Sequence, residues 1–123
     1  MYRHKLTDVP DSVLKQPSGI KKQMRWQADY NVAAWFRFDR VAQQPIRLQL
    51  FWHDDSGQHS MNIDQTNVNA SSLLLSGIAK LKVNGPLQAM SIIVECEHHD
   101  YRVDELFVQP AANPAQTAQR AQS

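Results

Sequence analysis

The chain has 123 residues, 42% of them hydrophobic and 20% charged, which suits one globular domain with a hydrophobic core. Its 13 basic and 12 acidic side chains give a formal net charge of +1, so no overall field favours nucleic acid or a membrane surface. The single cysteine, Cys96, excludes an intramolecular disulfide. The sequence shows neither a membrane-length apolar run nor a signal-peptide core. We therefore expect a cytoplasmic protein, or a periplasmic or secreted one whose leader has been removed.

Three segments of different composition divide the chain. Residues 1–22 are mixed, and we predict an N-terminal arm that packs on the main domain and includes one helical turn around PDSVLK. Residues 23–109 are patterned as strands and form the predicted domain. Residues 110–123 are rich in Ala, Gln and Pro and lack large apolar side chains, so we predict a disordered tail or linker.

Apolar and polar side chains alternate at the start of the domain. Every even position from 24 to 38 is apolar: Met24, Trp26, Ala28, Tyr30, Val32, Ala34, Phe36 and Phe38. Eight matches at period two exclude an amphipathic helix and predict a strand, with a bend or break near Tyr30–Asn31 because of its length. Further strands follow at 46–52, 61–63, 72–83, 88–96 and 101–109. This spacing predicts an all-β antiparallel sandwich, jelly-roll-like, with about eight strands.

The stretch FWHDDSGQHS, residues 51–60, is explained by a hairpin turn. With 54–57 as the loop, Gly57 supplies a positive φ and the aspartates suit the start of the turn. The predicted pairs are Trp52–His59, Leu50–Met61 and Leu48–Ile63 on the apolar side, and Phe51–Ser60, Gln49–Asn62 and Arg47–Asp64 on the polar side. His53 and His59 then lie on opposite faces and make a poor metal pair.

Two later turns predict two more hairpins. A loop at 84–87 pairs Leu81 with Met90, and a loop at 97–100 pairs Cys96 with Tyr101. The second register leaves Glu105 on the apolar side. We expect a bulge that turns the Asp104–Glu105 step outward and brings Leu106 and Val108 inward; the alternative is a partly buried carboxylate.

Pairing the first strand with the second predicts a polar face that carries aromatic rings. The favoured register sets Asp39 against Arg47 and Trp35 against Phe51. The predicted ligand-binding residues are Trp35, Phe51, Arg37, Gln49, His53, Asn62 and Asp64. Aromatic rings stack on sugars while planar polar groups bind the hydroxyls, so this face favours a saccharide.

Two other interpretations of that face remain open. A protein partner, or a second copy in a homodimer, would use the same patch, because aromatic residues and Arg are enriched in protein interfaces. Alternatively, the N-terminal segment or the tail covers Trp35 and Phe51, and the polar residues are ordinary surface.

Two stretches resemble a known superfamily. IRLQLFWHDDSGQ resembles the strand–turn motif of jelly-roll carbohydrate-binding modules. GPLQAMSIIVECEHHDYRVDELFVQP resembles the closing hairpin of galactose-binding-like domains, with Tyr101, Val103, Asp104, Leu106 and Val108 in its last strand. The resemblance extends over residues 24–110 and implies a sandwich that binds sugars or proteins without performing a reaction. Many such modules hold a structural calcium ion, whose ligands have no residue-by-residue counterpart in this sequence.

Reactive groups give little support for an enzyme. Cys96-Glu97-His98-His99-Asp100 contains several potential zinc ligands, but no four donors at a recognised spacing. Cys96 belongs to the apolar pattern, which favours a buried thiol followed by a polar turn. A Cys96–His98 nucleophilic pair would need an exposed thiolate, and no glycine pattern fits a phosphate. We predict a non-catalytic module with no cofactor, whose partner is a saccharide or a protein.

Overall fold

The computed structural model describes residues 2–10, 13–14, 19–22, 24–41, 44–97 and 101–111. Seven strands lie within these ranges: β1 (Tyr2–Asp8), β2 (Arg25–Phe38), β3 (Pro45–Asp54), β4 (Gly57–Asn67), β5 (Ser72–Asn84), β6 (Ala89–Cys96) and β7 (Tyr101–Pro110). No helix in the described ranges has both the length and the apolar character that are needed to cross a membrane. Residues 11–12 and 15 of the predicted helical turn, and residues 112–123 of the predicted tail, lie outside the described ranges.

The strands form two antiparallel sheets, which confirms the all-β prediction and fits a sandwich. One sheet has four strands in the order β1-β6-β3-β4, and the other has three in the order β5-β2-β7. The described ranges hold seven strands where about eight were expected. Jelly-roll connectivity stays a prediction.

The inner faces of the two sheets share one hydrophobic core. Its largest fully buried side chains include Tyr30 and Phe36 of β2, Leu50 of β3 and Ile92 of β6. Burying each such side chain contributes roughly 1.5–3 kcal/mol before entropy is counted. The outermost strands of the two sheets also approach each other: the rings of His4 on β1 and Tyr101 on β7 lie 6.0 Å apart.

The first predicted strand is correct in its faces and longer than expected. Every even position from Ala28 to Phe38 is buried, as the alternation requires. Of the predicted bend or break near Tyr30–Asn31, the break is wrong, because β2 runs for 14 residues and pairs with β5 from Arg25 to Arg37 without a shift. The 13-residue β5 supports β2 along this whole length.

The β3–β4 hairpin follows the predicted register near its turn. Trp52 pairs with His59, Leu50 with Met61, Phe51 with Ser60 and Gln49 with Asn62. Gly57 has a φ of 115°, the left-handed value expected there. The two pairs furthest from the turn are wrong, because a register shift at Leu48–Gln49 sets Leu48 opposite Asp64 and Arg47 opposite Gln65.

The other predicted hairpins are wrong because their strands lie in different sheets. Strands β2 and β3, β5 and β6, and β6 and β7 are consecutive, yet each pair is divided between the two sheets. Cys96 therefore pairs with Ile46 and Tyr2, and Tyr101 pairs with Phe38. Both inner faces are apolar, so the alternation fits facing sheets as well as paired strands.

The predicted bulge near Glu105 is confirmed. Trp35 pairs with Glu105 and Phe36 pairs with Val103, which leaves Asp104 as the additional residue on β7. Glu105 is exposed, while Leu106 and Val108 pack against the core.

Residues 2–8, within the predicted N-terminal arm, form the edge strand β1 and pair with β6. Val9 and Leu14 add two buried side chains to the core beyond that strand.

Candidate interaction surface

The seven predicted ligand-binding residues lie in three separate places. Trp35 and Arg37 are on the outer face of the three-stranded sheet. The outer face of the four-stranded sheet carries Gln49, Phe51, His53 and Asn62. The predicted pairing of Trp35 with Phe51 is wrong, because β2 and β3 lie in different sheets. The two rings therefore do not share a surface.

Polar contacts cover much of the face around Phe51. The guanidinium of Arg3 lies 5.0 Å from the centre of the Phe51 ring and also binds the Glu95 carboxylate at 3.2 Å. Gln49 Nε2 donates a hydrogen bond to Asn62 Oδ1 at 2.7 Å. Arg3 belongs to β1. At this contact the N-terminal segment therefore covers Phe51, as one interpretation of the sequence expected. A guanidinium already occupies the stacking position on this ring.

The Asp64 carboxylate, at the edge of β4, accepts two backbone hydrogen bonds. Its Oδ2 accepts a hydrogen bond from the Ser76 N–H of β5 at 3.0 Å, and its Oδ1 accepts one from the Gln65 N–H at 2.8 Å. These bonds connect the edges of the two sheets. Asp64 lies opposite Leu48 rather than Arg47, apart from the predicted polar face.

Asp54, Ser56 and His59 come together at the β3–β4 turn, but not as a catalytic triad. Ser56 Oγ and Asp54 Oδ1 both contact the same imidazole nitrogen, His59 Nε2, at 2.8 and 3.0 Å. In a triad, the carboxylate binds the opposite ring nitrogen and leaves Nε2 for the serine. Here Ser56 Oγ also donates to Asp54 Oδ1 at 2.7 Å, so the hydroxyl is engaged by the carboxylate. The cluster stabilises the turn.

Metal ligands do not gather in the part of the chain that the structure describes. No group of three or more His, Cys, Asp and Glu side chains there could hold a metal ion. His98, His99 and Asp100, from the predicted zinc-like run, lie outside the described residues, and Cys96 is fully buried. The calcium ion implied by the resemblance therefore gains no ligand set here.

The outer face of the three-stranded sheet is unusually apolar. Seven large hydrophobic side chains are exposed among the described residues, and four of them lie on this face. They are Trp35 of β2, Leu74 and Ile78 of β5, and Phe107 of β7, exposed by 40, 41, 57 and 46%. We call these four residues, with the half-buried Ala33, the outer apolar face.

Strand register brings these side chains together. Leu74 lies directly opposite Trp35, Phe107 opposite Ala33, and Ile78 opposite Asn31. Side chains that point to one side of a sheet at such positions are neighbours. The outer apolar face therefore reaches across all three strands, with the exposed Ser76 between Leu74 and Ile78.

Polar residues lie at both ends of the outer apolar face. At one end, Arg37 binds Asp104 at 3.0 Å, and a depression of about 310 Å³ is lined by Trp35, Arg37, Ser72, Asp104 and Glu105. At the other end, Asp29 pairs with Lys80 in the ladder. The surface thus has an apolar centre and charged ends.

The sequence contains a signal for this face. Three apolar runs interrupt the alternation: Ala33-Ala34-Trp35-Phe36, Leu73-Leu74-Leu75 and Leu106-Phe107-Val108. Continuous apolar runs are typical of strands that are covered on both faces. The sequence pattern did not predict Leu74, Ile78 and Phe107 as site residues, because the predicted site was a polar face that carries aromatic rings.

Comparison with known proteins finds no relative of this chain. No family model, no curated protein and no solved structure matches it. The resemblance to carbohydrate-binding modules and galactose-binding-like domains therefore stays a prediction.

The outer apolar face can bind a flat, largely apolar surface. Removing apolar side chains from water contributes roughly 25 cal/mol for each Å² buried. The charged ends can then fix the orientation of the bound surface, because like charges repel and opposite charges attract across an interface.

Proposed function

We propose that this protein is a non-catalytic interaction module that binds another protein surface through the outer apolar face. One observation carries this proposal: four of the exposed large hydrophobic side chains in the described residues lie on a single sheet face. Contiguous apolar patches larger than a few hundred Å² are uncommon on monomeric proteins, and the largest patch on a monomer is often a functional surface. An apolar centre with a polar rim is the usual composition of a protein interface.

The side chains on this face favour a protein over a saccharide. Leu74 and Ile78 are branched aliphatic residues, which offer a sugar neither a flat ring nor a hydrogen bond. Phe51 and Gln49, two of the residues expected to bind a sugar, lie on the other sheet. A protein partner makes use of Leu74 and Ile78 as well as the exposed aromatic rings.

Site-specific photocrosslinking in the source cells tests this proposal. A photoreactive amino acid at Leu74 should give a discrete crosslinked product after illumination, whose peptides are identified by mass spectrometry. The matched control carries the same group at the exposed Ser60, on the outer face of the four-stranded sheet. Equal products from both positions, or none from Leu74, would contradict the proposal.

Carbohydrate binding on a jelly-roll scaffold is the second candidate. It is favoured by the depression in which Trp35 lies beside Arg37, Ser72, Asp104 and Glu105, an aromatic platform among hydroxyl-binding groups. A glycan array is the test: binding should be lost in Trp35→Ala and retained in Phe51→Ala. Absence of glycan binding, or equal loss in both variants, would remove this candidate.

A further inference from the structure

We infer that the outer apolar face binds a second copy of this chain, an inference that rests on the proposed interaction function and specifies its partner. The two copies face each other across a two-fold axis. The axis lies between the two facing sheets, passes over Ala33 and crosses β2 at roughly a right angle. A two-fold contact of this kind uses the same surface on both copies, so the surface must be complementary to itself.

The axis sets the apolar residues of β5 and β7 against each other, and it places Trp35 of β2 over Asn31 of the second copy. Leu74 and Ile78 lie on β5 at equal distances from Ser76, the residue paired with Ala33. The rotation therefore places Leu74 over Ile78 of the second copy, and Ile78 over its Leu74. Phe107 is also paired with Ala33, so the axis passes over it and the two Phe107 rings meet there.

Charge complementarity distinguishes this axis from the alternative. Arg37 and Asp29 are both four residues from Ala33 on β2, so each Arg37 faces Asp29 of the second copy. A two-fold axis parallel to β2 would instead set Arg37 over Arg37 and Asp29 over Asp29, which is repulsive. Within one copy, Arg37 also binds Asp104, and Asp29 accepts a hydrogen bond from Gln27 at 3.0 Å. Both side chains therefore already have a partner before association.

The twist between facing sheets still allows the charged contact. Arg37 lies about 13 Å from the axis, so a rotation of about 30° between the sheets displaces it sideways by about 7 Å. An arginine side chain is long enough to span that displacement. The pairs nearest the axis, formed by Leu74, Ile78 and Phe107, are displaced less.

The size of the face predicts a weak dimer. From Asp29 to Arg37 the face is about 26 Å long, and three strands make it about 14 Å wide, which gives roughly 400 Å² of projected area on each copy. Stable interfaces bury about 800 Å² on each partner. Association should therefore be reversible and should depend on protein concentration.

Sedimentation equilibrium of the full chain over a wide concentration range tests the inference by charge exchange. The mass of the unmodified protein should rise towards twice that of the monomer. Arg37→Asp and Asp29→Arg should each weaken association by about tenfold or more, because each creates two like-charge contacts per dimer. The double variant Arg37→Asp/Asp29→Arg should recover association, because it restores opposite charges. Lys5→Glu, an exposed charge reversal on β1 of the other sheet, is the control and should have no effect.

Circular dichroism confirms that each variant keeps its strand content. A protein that remains monomeric at every concentration, or charge reversals that act without recovery in the double variant, would overturn the inference. The protein could instead stay monomeric and still crosslink to a different protein from Leu74 but not from Ser60. That result would refute the inferred dimer and support the proposed interaction function. If the protein stays monomeric and Leu74 gives no specific crosslink, both the inferred dimer and the proposed interaction function are refuted.

Discussion

The buried carboxylate of Asp54 accepts a hydrogen bond at 2.9 Å from the backbone N–H of Asn84, 30 residues further along the chain. This bond joins the β3–β4 turn of one sheet to the end of β5 in the other. The second oxygen of Asp54 accepts hydrogen bonds from the N–H and Oγ of Ser56 and contacts His59 Nε2. Asp54 is 1% exposed and is the only buried charged side chain in the described ranges. Its hydrogen bonds compensate for the loss of hydration.

Replacing this carboxylate should destabilise the fold. Asp54→Asn loses the charge and turns an amide N–H₂ towards groups that are themselves donors, so we expect a loss of about 2–3 kcal/mol in the free energy of unfolding. Asp55→Asn, at the neighbouring half-buried position, is the control and should change it by about 0.5 kcal/mol or less. Urea denaturation followed by circular dichroism measures both. Equal losses in the two variants would refute the special role of Asp54.

The same carboxylate should make stability depend on acid pH. Burial raises the pKa of Asp54, but hydrogen bonds from the Ser56 hydroxyl, the Asn84 and Ser56 N–H groups and His59 outweigh it and lower the pKa from 3.8 to about 2. A group whose pKa is lowered on folding stabilises the fold above its unfolded pKa. The contribution, about 2 kcal/mol, is lost as the pH falls from about 4 to about 2. Urea denaturation at several pH values should show this loss in the unmodified protein and a smaller one in Asp54→Asn.

Gly77 should tolerate no larger side chain. A Cβ at this position of β5 would lie 2.8 Å from the carbonyl oxygen of Ile63 on β4, a backbone atom that cannot rotate away. We expect Gly77→Ala to destabilise the protein by about 1–3 kcal/mol, since the edges of the two sheets must separate. Ser76→Ala, at the adjacent exposed position, should cost about 0.5 kcal/mol or less. Thermal unfolding of both variants measures the difference, and two equal melting temperatures would be inconsistent with a close approach at Gly77.

Cys96 should be protected from thiol reagents in the folded protein. Its side chain is fully buried at the end of β6, between β1 and β3. Ellman's reagent should therefore react slowly in native buffer and rapidly once denaturant unfolds the chain, because only unfolding exposes the thiol. Rapid stoichiometric reaction under native conditions would contradict the burial and would reopen a nucleophilic role.

Alternation in the sequence predicted which way side chains point, but not which strands pair. The even positions of β2 face the core as expected. Trp35 and Phe51 both point outward as expected, yet on opposite sheets, since any apolar face can pack against another sheet as well as extend its own. Register was predictable only where a short turn connects the strands, as between Trp52 and His59.

Residues that break the apolar–polar alternation indicated local features of the structure more reliably than the alternation indicated strand pairing. Glu105 disagreed with the alternation, and it marked a bulge that the structure contains. Trp35 and Leu74 disagreed with it in the opposite sense, as apolar residues at outward positions, and they mark the outer apolar face. The partner of that face could not be read from alternation, because binding depends on groups that several strands bring together.

Amide chemical shifts recorded by NMR in dilute and in concentrated solution test the central claim most directly. If the outer apolar face binds a second copy, the shifts should change with concentration around Ala33 and Trp35, from Leu74 to Ile78, and around Phe107. The amides of β3 and β4 near Phe51 and Ser60 should stay constant. Shifts that change around Phe51, or that change nowhere at any concentration, would contradict self-association through this face.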